Sequence, residues 1–114
     1  EYGYDERTGR QTPGMLWPLL TGERGHFALA EAKAKGTGKD QALLPYLSAM
    51  EAFATPSFMI PEQVGDGRGA PAGEPTGAAT PLGWAHGEYL KLLRSRLEGD
   101  VFDRMGLPQT PRAL

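Results

Sequence analysis

Thr80-Pro81-Leu82-Gly83-Trp84-Ala85-His86-Gly87-Glu88-Tyr89 is the stretch that settles the fold class. Threonine is favoured just before a helix, where its hydroxyl caps a free N–H. Proline suits the first helical position, where its missing N–H is not needed. From there Leu82, Ala85, His86, Tyr89, Leu93 and Leu97 recur at intervals of three and four, the repeat of one helix face. Arg94 and Arg96 fall in the last turn and Gly99 just beyond it, as at a helix C-terminus. The spacing predicts a helix over 81–98.

Upstream lies a glycine- and proline-rich loop over 61–79, opened by Pro61-Glu62-Gln63-Val64-Gly65-Asp66. A structureless segment of that length is functional or disordered more often than not. It follows an apolar run, Phe58-Met59-Ile60, that reads as buried. Glu62 therefore sits just past an anchored segment, at the mouth of a loop, where active-site groups are often carried. The default for a loop glutamate is a solvated acid.

Two more helices precede the loop. Over about 17–35, Leu16, Leu20, Phe27, Ala30 and Ala34 keep helical spacing, Pro18 suits a first position and Gly36 a stop. Thr21 is a second possible cap for this helix, with Glu23 in its first turn. Gly22 and Gly25 lie inside the pattern at ~1 kcal/mol each against alanine, which makes sense where another backbone passes close by. Glu23 falls between Leu20 and Phe27 on the apolar side, so a partner for it is expected. Over about 40–54, Asp40 is a good cap and Leu43, Leu47, Met50 and Phe53 line one side, with Pro45 implying a kink or a later start. The short link between these two helices predicts antiparallel neighbours. Residues 1–14 read as loop, with Tyr2 and Tyr4 packing rather than forming a binding rim; the tail from Asp100, with Pro108 and Pro111, shows no periodicity.

The totals bound the function. A chain of 114 residues is one small domain or a piece of a larger one. Its first residues form no signal peptide and lack a starting Met, as expected of an internal or processed piece. A net charge of −2 with no basic block argues against a nucleic-acid partner. No apolar run approaches ~18 residues, so no membrane span is expected. Without cysteine there is no thiolate chemistry, and localisation stays open between secreted and cytoplasmic. His26 and His86 lack a second ligand at helical spacing, so metal binding is not expected, and the pairing of His86 with Glu88 as ligands is less natural than a packed histidine. A triad of Ser57, His86 and Asp66 has no nucleophile-elbow sequence behind it. Aromatic faces with a few charged groups suit sugars better. Trp17 and Trp84 each lie at the first turn of a predicted helix, and converging N-termini would bring both indoles to one rim with Glu62.

Three motifs then carry a resemblance. Trp17-Pro18-Leu19-Leu20-Thr21-Gly22-Glu23-Arg24-Gly25-His26-Phe27, the Pro61-Glu62-Gln63-Val64 loop, and Pro75-Thr76-Gly77-Ala78-Ala79-Thr80-Pro81-Leu82-Gly83-Trp84-Ala85-His86-Gly87-Glu88-Tyr89 resemble, in order, signatures of prokaryotic glucoamylases and glucodextranases of glycoside hydrolase family 15. Val101-Phe102-Asp103-Arg104 is similar to the family's ending. The resemblance implies an all-α fold, a three-helix C-terminal segment of an (α/α)6 barrel, over residues 1–114. It implies an inverting exo-glycosidase that releases β-D-glucose from non-reducing ends of α-glucans or malto-oligosaccharides, cutting α-1,4 or α-1,6 linkages. Glu62 maps onto the general base, and Trp17 and Trp84 onto tryptophans at the sugar pocket. No cofactor is implied. The general acid would come from the N-terminal part of the same barrel, so this stretch alone would be inactive. One departure stands out: the family usually has Trp after this Pro-Glu-Gln-Val motif, and here it is Gly65. The alternative reading is a non-catalytic helical or carbohydrate-binding module that keeps the motifs.

Overall fold

A computed structural model of the chain describes residues 3–5, 10–12, 15–68 and 70–104. It contains a short antiparallel ribbon, β1 (Gly3–Asp5) paired with β2 (Arg10–Thr12), and three helices: α1 (Pro18–Lys35), α2 (Lys39–Ala52) and α3 (Gly83–Glu98). The ribbon departs from the loop expected over 1–14. Strands of three residues are shorter than any window in which a period of two can be read. The helices carry the core, and the chain is all-α in class. Tyr2 and the tail prolines Pro108 and Pro111 lie outside the described residues.

The ends of the helices follow local chemistry. Pro18 opens α1, and Gly36 closes it at φ 66°, with backbone N–H groups folding back onto Ala32 and Lys33. Gly99 closes α3 the same way. The expected caps fare differently. Leu82, not Thr80, precedes α3, because its N–H is held by the Ile60 carbonyl at 3.0 Å and the chain turns helical only beyond that bond. Gly38 precedes α2, with Asp40 in the first turn, where a carboxylate meets the positive end of the helix dipole. The helix runs through Pro45 without a break.

α1 packs on both α2 and α3, and α2 on α3. Leu29, Leu43, Leu47, Met50 and Leu92 form the main core, flanked by Tyr46, Tyr89 and Leu93. A second cluster of Leu19, Ile60 and Ala85 sits at the loop end and takes Trp17 and Leu82 against it. On α1 the buried face is not the predicted one. Pro18, Gly22, Gly25, His26, Leu29 and Ala32 are buried, whereas Glu23 and Phe27 are exposed. Hydrophobicity pointed to Leu20 and Phe27; the contact face is instead marked by the absence of side chains. A Cβ on Gly22 would lie 2.5 Å from Glu88 Cγ and 3.0 Å from Met50 Sδ, and one on Gly25 would lie 2.9 Å from a Leu92 methyl. The expectation of a passing backbone at these glycines is thus corrected: the close neighbours are side chains of α2 and α3. On α3 the buried set is Ala85, Glu88, Leu92 and Ser95, while Tyr89 and Leu93 are half-buried and Leu97 is 85% exposed.

Glu88 is the buried acid, rather than Glu23. At 1% exposure its carboxylate places Oε1 2.9 Å from His26 Nδ1 and Oε2 2.8 Å from Lys91 Nζ, contacts bent away from straight hydrogen bonds. Lys91 also reaches Asp103 Oδ2 at 2.5 Å. Burial pulls the Lys91 ammonium down, but its interactions with the Asp103 and Glu88 carboxylates outweigh it and hold the group above its ordinary value. The same bond from Lys91 holds Asp103 below the usual carboxylate range. The chain of charges ties α1, α3 and the segment after α3 together.

Two outcomes follow for stability. Gly22→Ala gains ~1 kcal/mol of helix propensity. It nevertheless overpacks a pinned carboxylate, and a net loss of about 1–3 kcal/mol in urea unfolding is expected. Asp103→Asn removes a half-exposed partner, so a loss of ~0.2–1 kcal/mol near neutral pH is expected. A depressed carboxyl stabilises the fold above its unfolded value and loses that contribution as pH falls through the lower folded one. The difference between the two proteins should therefore persist at neutral pH and close below about pH 4. A raised lysine works in the opposite sense: its share is present below its unfolded value and fades only above about pH 10.4. Unfolding curves at several pH values check both limits.

Candidate active site

The loop after α2 is not structureless. Residues 60–65 are pinned from three directions. The Ile60 N–H donates to His86 Nε2 at 2.9 Å, and its carbonyl accepts from Leu82. Val64 exchanges both backbone hydrogen bonds with Leu16, at 2.9 and 3.0 Å, just before α1. On the other side the returning chain pairs off residue by residue. Gly65 N–H bonds the Glu74 carbonyl, Val64 faces Pro75, Thr76 N–H bonds the Gln63 carbonyl, and Glu62 N–H bonds the Ala79 carbonyl at 2.8 Å. These contacts form an irregular hairpin whose arms are Glu62–Gly65 and Glu74–Ala79. Its turn end includes Gly67 and Gly73, both at positive φ, a backbone form open to glycine at little cost.

Glu62 stands on that hairpin, half-buried. The Ala79 N–H donates to its Oε2 at 3.3 Å, and among the described residues no other group bonds the carboxylate. The neighbouring side chains are also fixed: Thr76 Oγ1 donates to Gln63 Oε1 at 3.4 Å and accepts from Ala78 N–H at 3.2 Å.

The same pairings gather the tryptophans' positions. Trp17 follows Leu16, which pairs with Val64; Trp84 follows Leu82, which is bonded to Ile60. The first turns of α1 and α3 are thus held to the segment that carries Glu62. The two indoles differ: Trp17 is half-buried against the Leu19–Ile60–Ala85 cluster, and Trp84 is 62% exposed. Of the expected buried run, only Ile60 is buried; Met59 and Phe58 are exposed, and Phe58 sits at φ 60°, a strained form for an aromatic residue.

Other candidate groupings come apart. His86 spends Nε2 on Ile60, Asp66 is bound to Arg68, and Ser57 is exposed, so no triad forms from them. Glu88 turns to His26 rather than joining His86. Among the described residues no group of three or more His, Asp or Glu is placed to hold a metal ion. A cleft of about 550 Å³ between α1 and residues 101–104 is lined by His26, Phe27, Lys33 and Arg104, and does not include Glu62.

Comparison with known proteins decides the family. Over 90 residues the chain is 48% identical to a glucoamylase from Clostridium sp. (strain G0005), a match that takes in 79% of this chain. A crystal structure of a bacterial glucoamylase complexed with acarbose superposes on 83% of it, with a TM-score of 0.65 and 44% identity. The chain is a segment of the glucoamylase family. It spans 11% of the Clostridium protein and 12% of the crystallised chain. No family model matches it. The match places the three helices in a glucoamylase fold, the all-α class that the motifs imply. In a glucoamylase segment the hairpin is the stretch that the Pro-Glu-Gln-Val motif marks. Two features of it were not legible as motif: the acceptor role of His86 and the Ala79 N–H on Glu62. Neither has a sequence signal, because one is a ring nitrogen on a helix and the other a main-chain group.

His86→Ala leaves the nearly buried Ile60 N–H without its acceptor, a loss of about 1–3 kcal/mol. Thermal unfolding of the variant should show the lower midpoint with helical circular dichroism unchanged before the transition.

Proposed function

We propose that this segment is the C-terminal part of an (α/α)6-barrel catalytic domain of glycoside hydrolase family 15, with Glu62 as the general base of an inverting exo-glycosidase. The substrate class is α-glucans and malto-oligosaccharides, attacked at non-reducing ends with release of β-D-glucose. The observation that carries the reading is the state of Glu62. It is held on a backbone pinned to both flanking helices, with one carboxylate oxygen bonded to Ala79 N–H and the other without a partner among the described residues. A base that orients a water needs such a free oxygen on a fixed support.

An inverting reaction uses two carboxyls ~6.5–9.5 Å apart, one protonating the leaving oxygen and one drawing a proton from water on the opposite face of the sugar. The acid would be supplied by the part of the barrel N-terminal to this segment. The proton balance is simple. The acid gives its proton to the departing glycosidic oxygen, water adds to the anomeric carbon, and Glu62 takes the proton that water loses. The exposed Trp84 indole, beside the same hairpin, suits stacking on a sugar face. Trp17 backs the rim through the apolar cluster beneath it. The acarbose held by the related glucoamylase is consistent with an oligosaccharide ligand here.

Glu62→Gln in the complete enzyme should lower turnover of maltose by ~10²–10⁴ while the melting temperature stays near that of the parent. Full turnover in that variant would reject Glu62 as the base, whereas a parent protein that binds malto-oligosaccharides without turnover would favour a binding module.

A further inference from the structure

Gly65 is the position where the chain departs from the family's pattern, and the hairpin explains what stands there instead. A Cβ built on Gly65 would lie 2.1 Å from the Pro71 carbonyl oxygen and 2.8 Å from that of Ala70. These are main-chain atoms, so no rotamer relieves the contact, and both oxygens are engaged: Ala70 accepts from Gly67 N–H and Pro71 from Glu74 N–H. Gly65 is buried and its own backbone closes the turn, giving its N–H to Glu74 and taking the N–H of Gly73. The hairpin that ends at Glu62 and Ala79 therefore begins at a residue that has room for no side chain. Displacement at that end acts along one continuous ladder, through Pro75 and Thr76, onto the Ala79 N–H that holds the carboxylate.

We propose that Gly65 is a positioning residue for Glu62: the Ala70–Pro71 main chain fills the space where a side chain at position 65 would stand. The inference rests on the reading of Glu62 as the base. It has a counterintuitive consequence. Even a tryptophan, the residue of the family's motif, would pry the turn off the hairpin, because its Cβ meets the same main-chain oxygens.

The test uses the complete enzyme and four single variants: Gly65→Ala, Gly65→Trp, Gly77→Ala and Glu62→Gln. Gly77 lies in the same loop with nothing within 4 Å of its would-be Cβ, so its variant controls for loop substitution as such. Both Gly65 variants should lose roughly 10–100-fold in kcat with KM nearly unchanged, the pattern of a displaced catalytic group rather than of weakened binding. Hydrogen exchange should rise in peptides covering 70–79 and stay at the parent level in α1 and α3. Gly77→Ala should match the parent in both. If Gly65→Ala unfolds globally, excision of Ala70 and Pro71 in the same chain removes the clashing carbonyls and should recover folding and part of kcat; no recovery overturns the proposal. Parent-like kcat or parent-like exchange over 70–79 in Gly65→Ala or Gly65→Trp, with Glu62→Gln inactive, overturns it alone. An active Glu62→Gln overturns the base assignment and this inference together.

Discussion

The double pairing of Val64 is the constraint on which the rest depends. Its backbone is exchanged with Leu16 on one side and set against Pro75 on the other, and its side chain is fully buried. A segment of six residues that belongs to no helix thereby acquires the fixity of a central strand. Buried peptide groups need partners, and leaving them without costs about as much as a lost hydrogen bond each. Here the partners come from the entry to α1, from the entry to α3 and from the far arm of the hairpin, so the three meet at one place. The convergence of helix N-termini with an acid is thus a by-product of satisfying main-chain hydrogen bonds. No side-chain cap is needed at any of the three helix starts, since none has one.

Rigidity at that spot coexists with an expensive composition. Glycines in a loop raise the entropy lost on ordering, by more than any other residue. The cost is met by the ladder from Gly65–Glu74 to Glu62–Ala79, which uses glycine where the chain must turn and where two backbones touch. Open positions such as Gly77 and Gly83, with nothing near a would-be Cβ, gain nothing of this kind. The same residue type therefore plays two parts within twenty residues. Only the close-packed positions carry structural information.

That distinction also sets what could be read in advance. The existence of three helices, the glycine stops of α1 and α3 and the α2 core face of Leu43, Leu47 and Met50 followed from spacing alone, because each is a local signal. The motifs pointed at Glu62, and the pairing of Val64 with Leu16 gives a physical reason why two of them sit together. What misled was hydrophobicity as a guide to the contact face. Leu20 and Phe27 outweigh Gly22 and Gly25 on any scale, yet the helices meet at the glycines, since interhelix distance is set by the smallest side chains on the shared face. Tertiary contact, not composition, also decides that Glu88 is buried and Glu23 is not. A single residue that finds His26 and Lys91 waiting is cheaper to bury than one that finds nothing.

Glu88 and Gly22 have to be understood as a pair. The acid reaches His26 on α1 only because its methylene chain passes over a residue with no Cβ, 2.5 Å from where that atom would stand. Replacing the glycine closes the path; replacing the acid leaves Lys91 with Asp103 alone and opens a void beside Met50. Breaking a buried ion pair from one side costs ~3–5 kcal/mol, far more than the pair contributes over a packed apolar substitute. Such an arrangement favours specificity over stability: it accepts one register of α1 on α3 and penalises a slip by a turn, which would take the carboxylate off the His26 imidazole. The register it selects is the one that brings the starts of both helices, Trp17 and Trp84, to the hairpin that carries Glu62.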